Sequence, residues 1–383
     1  MARSSIYLLI LAMITPWLYD RYQAMSCMLK NRPGSLQPIY NIKQHKMKFR
    51  DQIRNCEDIL LDEGMGVAFL SCDPGRDRWN TVMGSFHPEG LQNGAIWIYD
   101  YTTPDLPDSA AIKPLQLENF DSGDFHPLGM ELESSTSTLY VANHAQSGTV
   151  IEVFSVSVKS MTATHVITLK HPLIHTPNSI HSLGGGKFFF TNDHYMRAAV
   201  SPLLSKIETW SGAPGGSVVF FDINKPETAK TVARVPFANG IVMLNATTLV
   251  VASSSKTAVY FFDVAPDYNL TSKGFVRVPA GVDNLSVDSK GALLMAGHPF
   301  APGLFALSQR RWKCDPKSAK EVERKACECE APSWAAEWTE KDGLRELYKG
   351  FDICSSCTAV RDVSRGFGII TGLYDKGFMV FQE

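Results

Sequence analysis

Two adjacent carboxylates, Glu57 and Asp58, sit in Asn55-Cys56-Glu57-Asp58-Ile59-Leu60-Leu61, and nine residues after Asp58 the apolar run Val67-Ala68-Phe69-Leu70 begins. Acid or amide side chains return in similar places at Asn178, Asn239 and Asp283-Asn284, each about nine residues before a strand-like run. A carboxylate pair ahead of a strand, taken by itself, reads as a solvated turn, because acidic side chains mostly stay in water. Recurrence at one offset changes that reading. If the chain is a repeat array, these positions are equivalent and meet. Carboxylate and amide oxygens gathered at one point suit a hard cation such as Ca²⁺. Other chemistries lack their residues: there is no Gly-x-Ser-x-Gly elbow for a serine hydrolase and no Walker-type phosphate loop.

The elements that would carry these side chains come as pairs of short runs rich in Val, Ile, Phe, Tyr and Thr. The pairs are 66–70 with 95–99, 138–142 with 150–158, 187–191 with 217–221, 248–252 with 258–264, 292–296 with 303–307, and 366–371 with 377–381. Six pairs at repeated spacing, punctuated by Gly, Asn, Asp and Pro, predict an all-β six-bladed β-propeller with a central metal-binding channel. Each pair forms the middle of a four-stranded blade, with the innermost strand just before it, near the recurring acids and amides. A two-sheet sandwich is the alternative, and it gives no reason for the regular offset. Residues 308–357 break the rhythm. They hold five cysteines and a helical-looking passage, Trp334–Leu347, and read as an insertion between blades five and six. A disulfide-tied loop, a lid and a membrane-facing element are its three readings.

The chain has 383 residues, a net charge of −2, 44% hydrophobic and 20% charged residues, as expected of a globular protein with a large core. No basic stripe supports nucleic-acid binding. Residues 1–24, with Arg3 ahead of the apolar stretch Ile6–Leu18, read as a signal peptide or signal-anchor outside the fold. Residues 25–54 read as an extended lead-in, and 55–383 as the propeller. The expected location is therefore outside the cell or in the secretory lumen, with the N-terminal segment a candidate membrane attachment. Glycosylation is expected at Asn245 and Asn269, and not at Asn284, which is assigned to the buried site. The eight cysteines read as disulfides, with Cys56 and Cys72 a candidate pair flanking one strand. Zinc at Cys327, Cys329, Cys354 and Cys357 is the other reading of that cluster. Nothing in the sequence sets the oligomeric state.

Longer strings carry a family resemblance. Cys56-Glu57-Asp58, Asn143-His144, Thr191-Asn192-Asp193-His194-Tyr195, Phe237-Ala238-Asn239-Gly240-Ile241, Val282-Asp283-Asn284-Leu285-Ser286-Val287-Asp288 and Gly297-His298-Pro299 stand in the order of the paraoxonase/arylesterase family, which residues 55–383 resemble. The resemblance implies a six-bladed propeller with one catalytic and one structural calcium, hydrolysing lactones and aryl esters. It implies a catalytic ion on Glu57, Asn178, Asn239, Asp283 and Asn284, and a structural ion on Asp58 with the Met130 carbonyl. Three departures stand out. Phe125-His126-Pro127-Leu128-Gly129 has Leu128 where the family has its first active-site histidine. Asn178-Ser179 replaces an Asn-Asp pair, removing a carboxylate from the structural site. The C-terminal cysteine that staples the family's first and last strands is absent.

The expected function is calcium-dependent hydrolysis of a small ester or lactone, the metal polarising the carbonyl toward attack by activated water. His144, Asp283 and His126 are the candidate catalytic groups, imidazole being a base near neutral pH. His126 lies two residues from Leu128, on the same side of an extended segment, where it would replace the missing histidine. His298 and Leu128 are expected to line the pocket, and His194 to hold a strand end. A gluconolactonase-type sugar lactonase and a non-catalytic ligand-binding propeller are the competing readings, the second resting on Leu128.

Overall fold

A computed structural model describes residues 2–103 and 106–383, with side chains described from residue 11 onward in the first helix. Six main sheets are arranged in chain order, each built on four antiparallel strands. Two carry a fifth at the edge, one of these (Gln116–Glu118) parallel to its neighbour, and a separate two-stranded ribbon pairs Trp79–Asn80 with Ser85–Phe86. The fold is a six-bladed propeller. Each blade starts at its innermost strand: Cys56–Asp62, Pro127–Glu133, Pro177–Gly184, Ala238–Asn245, Gly281–Val287 and Ser356–Asp362. Every blade then moves outward through the paired runs read from the sequence, with one exception in blade five.

The hydrophobic core is divided among the blade interfaces. Ile59, Leu70 and Tyr99 of blade one pack on Val360, Ile369 and Phe378 of blade six. Phe189, Val218 and Phe220 of blade three pack on Ile241, Leu249 and Val251 of blade four. A middle strand therefore buries both faces, so its sequence is continuously apolar instead of alternating. Phe188, Phe189 and Phe190 are all fully buried for this reason.

The same effect accounts for the misreading of blade five. Trp334–Leu347 is two strands, Ser333–Thr339 and Gly343–Gly350, and not a helix. Trp334, Ala335 and Ala336 are buried in succession, and the tryptophan spacing that mimics a helical period spans a strand with both faces covered. Conversely, 303–307 is not a strand. It lies in the helix Ala301–Arg310, where Pro302 occupies the first turn that tolerates proline. The insertion is thus narrower than 308–357 and returns to the sheet at Ser333. Cys314–Cys327 and Cys329–Cys354 bridge it, which removes the zinc reading, while Cys357 is a buried free thiol on the innermost strand of blade six.

The lead-in also departs from expectation. Residues 25–30 complete the helix Ala2–Lys30, and Gln44–Lys48 is a strand, not a free extended segment. That strand pairs antiparallel with Phe378–Gln382 and becomes the outer strand of blade six. The ring closes through this backbone ladder, without the missing cysteine. A further staple is Cys56–Cys72, which joins directly opposed residues on the first two strands of blade one. The first helix is part of the fold from Trp17 onward. Its indole donates to Ser211 O (2.8 Å), Arg21 donates to Ser255 O (2.9 Å), and Ala24 and Met28 are buried. Among the described residues no helix is long and apolar enough to cross a membrane.

Closure by Gln44–Lys48 predicts that a chain starting at residue 50 melts about 10 °C or more below one starting at residue 32. The second truncation loses the helix and keeps the strand, so the difference in calorimetric Tm reports the closing ladder together with the short Ile39–Tyr40 pairing on blade five and the buried Ile42 and Phe49.

Candidate functional site

Every innermost strand carries a register shift near its start. The shifts fall between Cys56 and Asp58, Pro127 and Met130, Pro177 and Ile180, Ala238 and Ile241, Val282 and Leu285, and Ser356 and Ala359. In blade three, for example, Asn178 and Ser179 together face Thr191. Such a bulge bends the strand and re-aims side chains. It presents Glu57, Leu128, Asn178, Asn239, Asp283 and Cys357 at equivalent places, one per blade. Asn55, Phe237 and Ser355, each two residues before such a position, have φ of 56°, 45° and 56°. A left-handed phenylalanine is costly, and it persists only where its surroundings over-determine it.

The strand starts crowd the axis. A Cβ on Gly129 would lie 2.0 Å from Asn178 O, and one on Gly240 would lie 2.6 Å from Leu285 N and 2.8 Å from Asp283 O. Only glycine lets blade two approach blade three, and blade four approach blade five, this closely.

Glu57, Asn178, Asn239, Asp283 and Asn284 are all between 2% and 4% exposed. Their hydrogen bonds use the nitrogens and leave oxygens over. Asn284 Nδ2 donates to Glu57 Oε1 and Thr358 Oγ1, both at 3.0 Å, and Asn239 Nδ2 donates to Ser254 Oγ at 3.0 Å. Glu57 Oε2, Asn178 Oδ1, Asn239 Oδ1 and Asn284 Oδ1 are buried with no donor. Asp283 Oδ2 accepts from His298 Nε2 (3.0 Å), and the other ring nitrogen, Nδ1, accepts from Ser355 Oγ (2.9 Å). Burial pushes the Glu57 carboxyl well above its usual range, reinforced by Asp283 and Asp58. Four buried oxygens without donors, one of them a carboxylate and with the Asp283 carboxylate beside them, are costly unless a cation meets them. The donors are all hard oxygens, as calcium requires. Being rich in amides, the set contains no trio of His, Cys, Asp or Glu side chains among the described residues placed to hold a metal.

Asp58 is differently occupied. Its Oδ1 accepts from Ile59 N (2.8 Å) and Thr358 Oγ1 (3.1 Å), and Oδ2 accepts from Met130 N (2.8 Å). Met130 thus offers Asp58 its amide, and Ser179 Oγ accepts from Ile241 N at 3.3 Å. Burial raises the Asp58 carboxyl to about 6.

Glu57, Asn178, Asn239 and Asp283 share one cavity with His298 and Leu128. Its outer walls come from three helices: Met25 and Met28 of the first, Trp210 of Pro202–Ser211, and Leu304 and Phe305 of Ala301–Arg310. His126 and His144 are not among the lining residues. His144 donates from Nε2 to Pro177 O (2.6 Å) and faces Thr81 Oγ1 with Nδ1, and burial lowers its pKa. It thereby anchors the residue before Asn178. His126 Nδ1 contacts Asp73 Oδ2 (3.1 Å), while its Nε2 is buried without a hydrogen bond, 4.0 Å from Asp124 Oδ1. His194 bonds Asp193 Oδ1 (2.7 Å) and Thr209 Oγ1 (2.6 Å), tying a strand end to a wall helix. Met25, Met28 and Arg76 escape the sequence reading because the first helix looks like a leader. The loop after Cys72 shows only an Asp-Pro-Gly turn signal.

Comparison with known proteins matches the family described as Arylesterase over residues 80–324. Serum paraoxonase/arylesterase 2 of Canis lupus familiaris is 28% identical over 248 residues, covering 60% of this chain and 67% of that protein. Serum paraoxonase/lactonase 3 of Oryctolagus cuniculus is 28% identical over 280 residues, covering 70% and 74%. Other relatives are spanned less completely, 52% of the Homo sapiens serum paraoxonase/arylesterase 2 being covered at 30% identity. Among solved structures, a putative gluconolactonase superposes with a TM-score of 0.54 at 13% identity, covering 89% of this chain and 94% of its own. A Xanthomonas campestris gluconolactonase gives 0.52 at 13% identity, covering 92% and 91%. These two likenesses are of fold.

Two outcomes follow from the site's geometry. Gly240→Ala should destabilise the protein by about 1–3 kcal/mol in denaturant titration, because its Cβ meets the backbone of blade five. The raised Glu57 and Asp58 carboxyls favour the folded state while protonated, so their contribution falls as pH rises from the unfolded values through the folded ones, about 6 for Asp58. A cation held by Glu57 competes with that proton, so added calcium should raise Tm most at pH 7.5 and progressively less as pH is lowered and Glu57 protonates. A calcium effect on Tm independent of pH would contradict the burial of these acids.

Proposed function

The chain belongs to the arylesterase family, and from that premise we propose that it is a calcium-dependent hydrolase of carboxylic esters, acting on aryl esters and lactones. The supporting observation is the set of donor-less buried oxygens on Glu57, Asn178, Asn239 and Asn284, beside Asp283. In this reading those five side chains hold one calcium, the two acids balancing its charge. The bound ion supplies Lewis acidity toward the ester carbonyl. The chain does the rest. Met28, Leu128, Phe237 and Leu304 hold the apolar part of the substrate and limit water at the reacting carbon. Asp283, oriented by His298 and through it by Ser355, takes the proton of the attacking water on the oxygen that His298 leaves free. His144 and His126 steady the strand starts that bear Asn178 and Leu128. A second, structural calcium at Asp58 is less well supported, since Asp58 already accepts three hydrogen bonds and Ser179 adds no carboxylate.

The apolar part of the wall, Met25, Met28, Leu128, Phe237, Leu304 and Phe305, suits an aryl or alkyl group and favours this reading over a sugar lactonase, whose polyol substrate presents hydroxyls all round. Leu128 at a channel position favours the non-catalytic alternative, and a panel of aryl esters and aliphatic lactones decides between them. The cysteine bridges suit an oxidising compartment, and both sequon asparagines, Asn245 and Asn269, are exposed. We therefore place the protein in the secretory route. Trp17, Leu18 and Tyr22 on the exposed side of the first helix support attachment at a membrane surface.

Strong chelation should abolish hydrolysis of phenyl acetate and δ-valerolactone and lower Tm, with calcium restoring both. Full activity after chelation sinks the proposal. Asp283→Ala should cost at least about 10³-fold in kcat/KM if it both binds the ion and takes the proton. His144→Gln should instead lower Tm and reduce kcat less than about tenfold. A loss of 10²–10⁴-fold at unchanged Tm would make His144 the base.

A further inference from the structure

Arg76 stands in the short turn Pro74–Asp77, which follows the second strand of blade one and is capped by Asp73 accepting from Gly75 N. Its side chain is 4% exposed and lines the cavity that holds Glu57, Asn178, Asn239 and Asp283. Nη2 donates to Pro127 O (2.8 Å), the residue before Leu128, and Nε is buried with no acceptor. Neighbouring arginines are paired: Arg54 and Arg311 both meet Asp77. Arg21, the other arginine on the cavity wall, meets Asp20. Among the described residues Arg76 makes no ion pair.

A guanidinium cannot shed its charge, so burying it beside apolar groups without a counter-ion is unfavourable unless an anion arrives from outside. Asp77 is taken by two other arginines. Glu57 and Asp283, in the reading proposed above, are committed to a cation. That leaves a buried, fixed positive charge with a fork geometry matched to carboxylates, on a wall rich in methionine, leucine and phenylalanine; Lys206, the other lining cation without an ion pair, is less buried and rests its ammonium on the Phe305 ring (4.9 Å).

We propose that Arg76 is a specificity residue that receives a free carboxylate on the substrate, so that the favoured substrates are anionic esters, such as half-esters of dicarboxylic acids, and carboxylate-bearing lactones. This rests on the hydrolase reading. The ester carbonyl meets the oxygen cluster, the methylene or aryl spacer packs on Leu128 and Val82, and the far carboxylate takes the unused face of Arg76. Where the free carboxylate is on the acyl side, as in a half-ester or a carboxylate-bearing lactone, hydrolysis releases a product with two carboxylates, whose departure Arg76 also slows.

Matched substrates test this with the calcium-loaded full chain. Phenyl hydrogen adipate is compared with phenyl hexanoate, and 4-acetoxyphenylacetate with 4-methylphenyl acetate. In at least one pair the anionic member should have the higher kcat/KM, and Arg76→Gln should lower the anionic-to-neutral ratio by at least about tenfold, the effect of a lost charge-assisted bond. Arg76→Lys, which keeps the charge and loses the fork, should recover part of that ratio. Tm of both variants is measured, and if Arg76→Gln does not fold, the Lys variant alone must lower the ratio. No anionic preference in either pair, or a loss shared equally by anionic and neutral members, overturns the proposal. Calorimetric titration of adipate separates the two readings. Adipate bound at least about tenfold more tightly by the unmodified chain than by Arg76→Gln, with no ester turned over, keeps the anion site and removes the hydrolase.

Discussion

Six strand starts share one narrow axis, and most of what is distinctive in this protein answers to that constraint. A bulge in each innermost strand sets two residues against one and turns a side chain toward the channel. Gly129 and Gly240 leave room for neighbouring backbones to pass. Left-handed residues at Asn55, Phe237 and Ser355 fix the entry angle of three of the strands. The channel is therefore specified by backbone geometry before any ligand is considered. What it concentrates, through Glu57, Asn178, Asn239, Asp283 and Asn284, is oxygen without enough hydrogen to satisfy it.

The surrounding structure holds that concentration in place. Side-chain nitrogens are spent on neighbouring blades, as Asn284 does with Glu57 and Thr358, so the amide oxygens have one direction left. His144 and His126 lie outside the lining of the cavity, bonded to Pro177 O and Asp73. His298 stands nearer the oxygen cluster because it both lines the cavity and bonds Asp283. In the calcium reading proposed above, partners of this kind would orient the groups that hold the ion. Helices line the cavity above, and their apolar side chains make it a place for a carbon skeleton, with Arg76 a buried charge that has no ion pair.

The propeller was legible because radial repetition writes one pattern several times, and five of the six strand pairs stand where their apolar runs placed them. Blade five was not, and its failure is instructive. With both faces of a strand covered, Trp334-Ala335-Ala336 loses the alternation by which strands are recognised, and Gly303–Leu307, apolar throughout, is a helix. Periodicity reports on exposure as much as on secondary structure, and it fails where every face is covered.

The sequence by itself determined which oxygens are available and that they recur at one offset: Glu57, Asn178, Asn239 and Asp283 are identities that folding does not alter. Only the tertiary structure decided which of their atoms lack donors, that Gln44–Lys48 closes the ring, and that the first helix and Arg76 belong to the cavity. The reason is range. An offset of nine residues is written along the chain, whereas whether Asn284 meets Glu57, 227 residues away, depends on how blades stack around the axis.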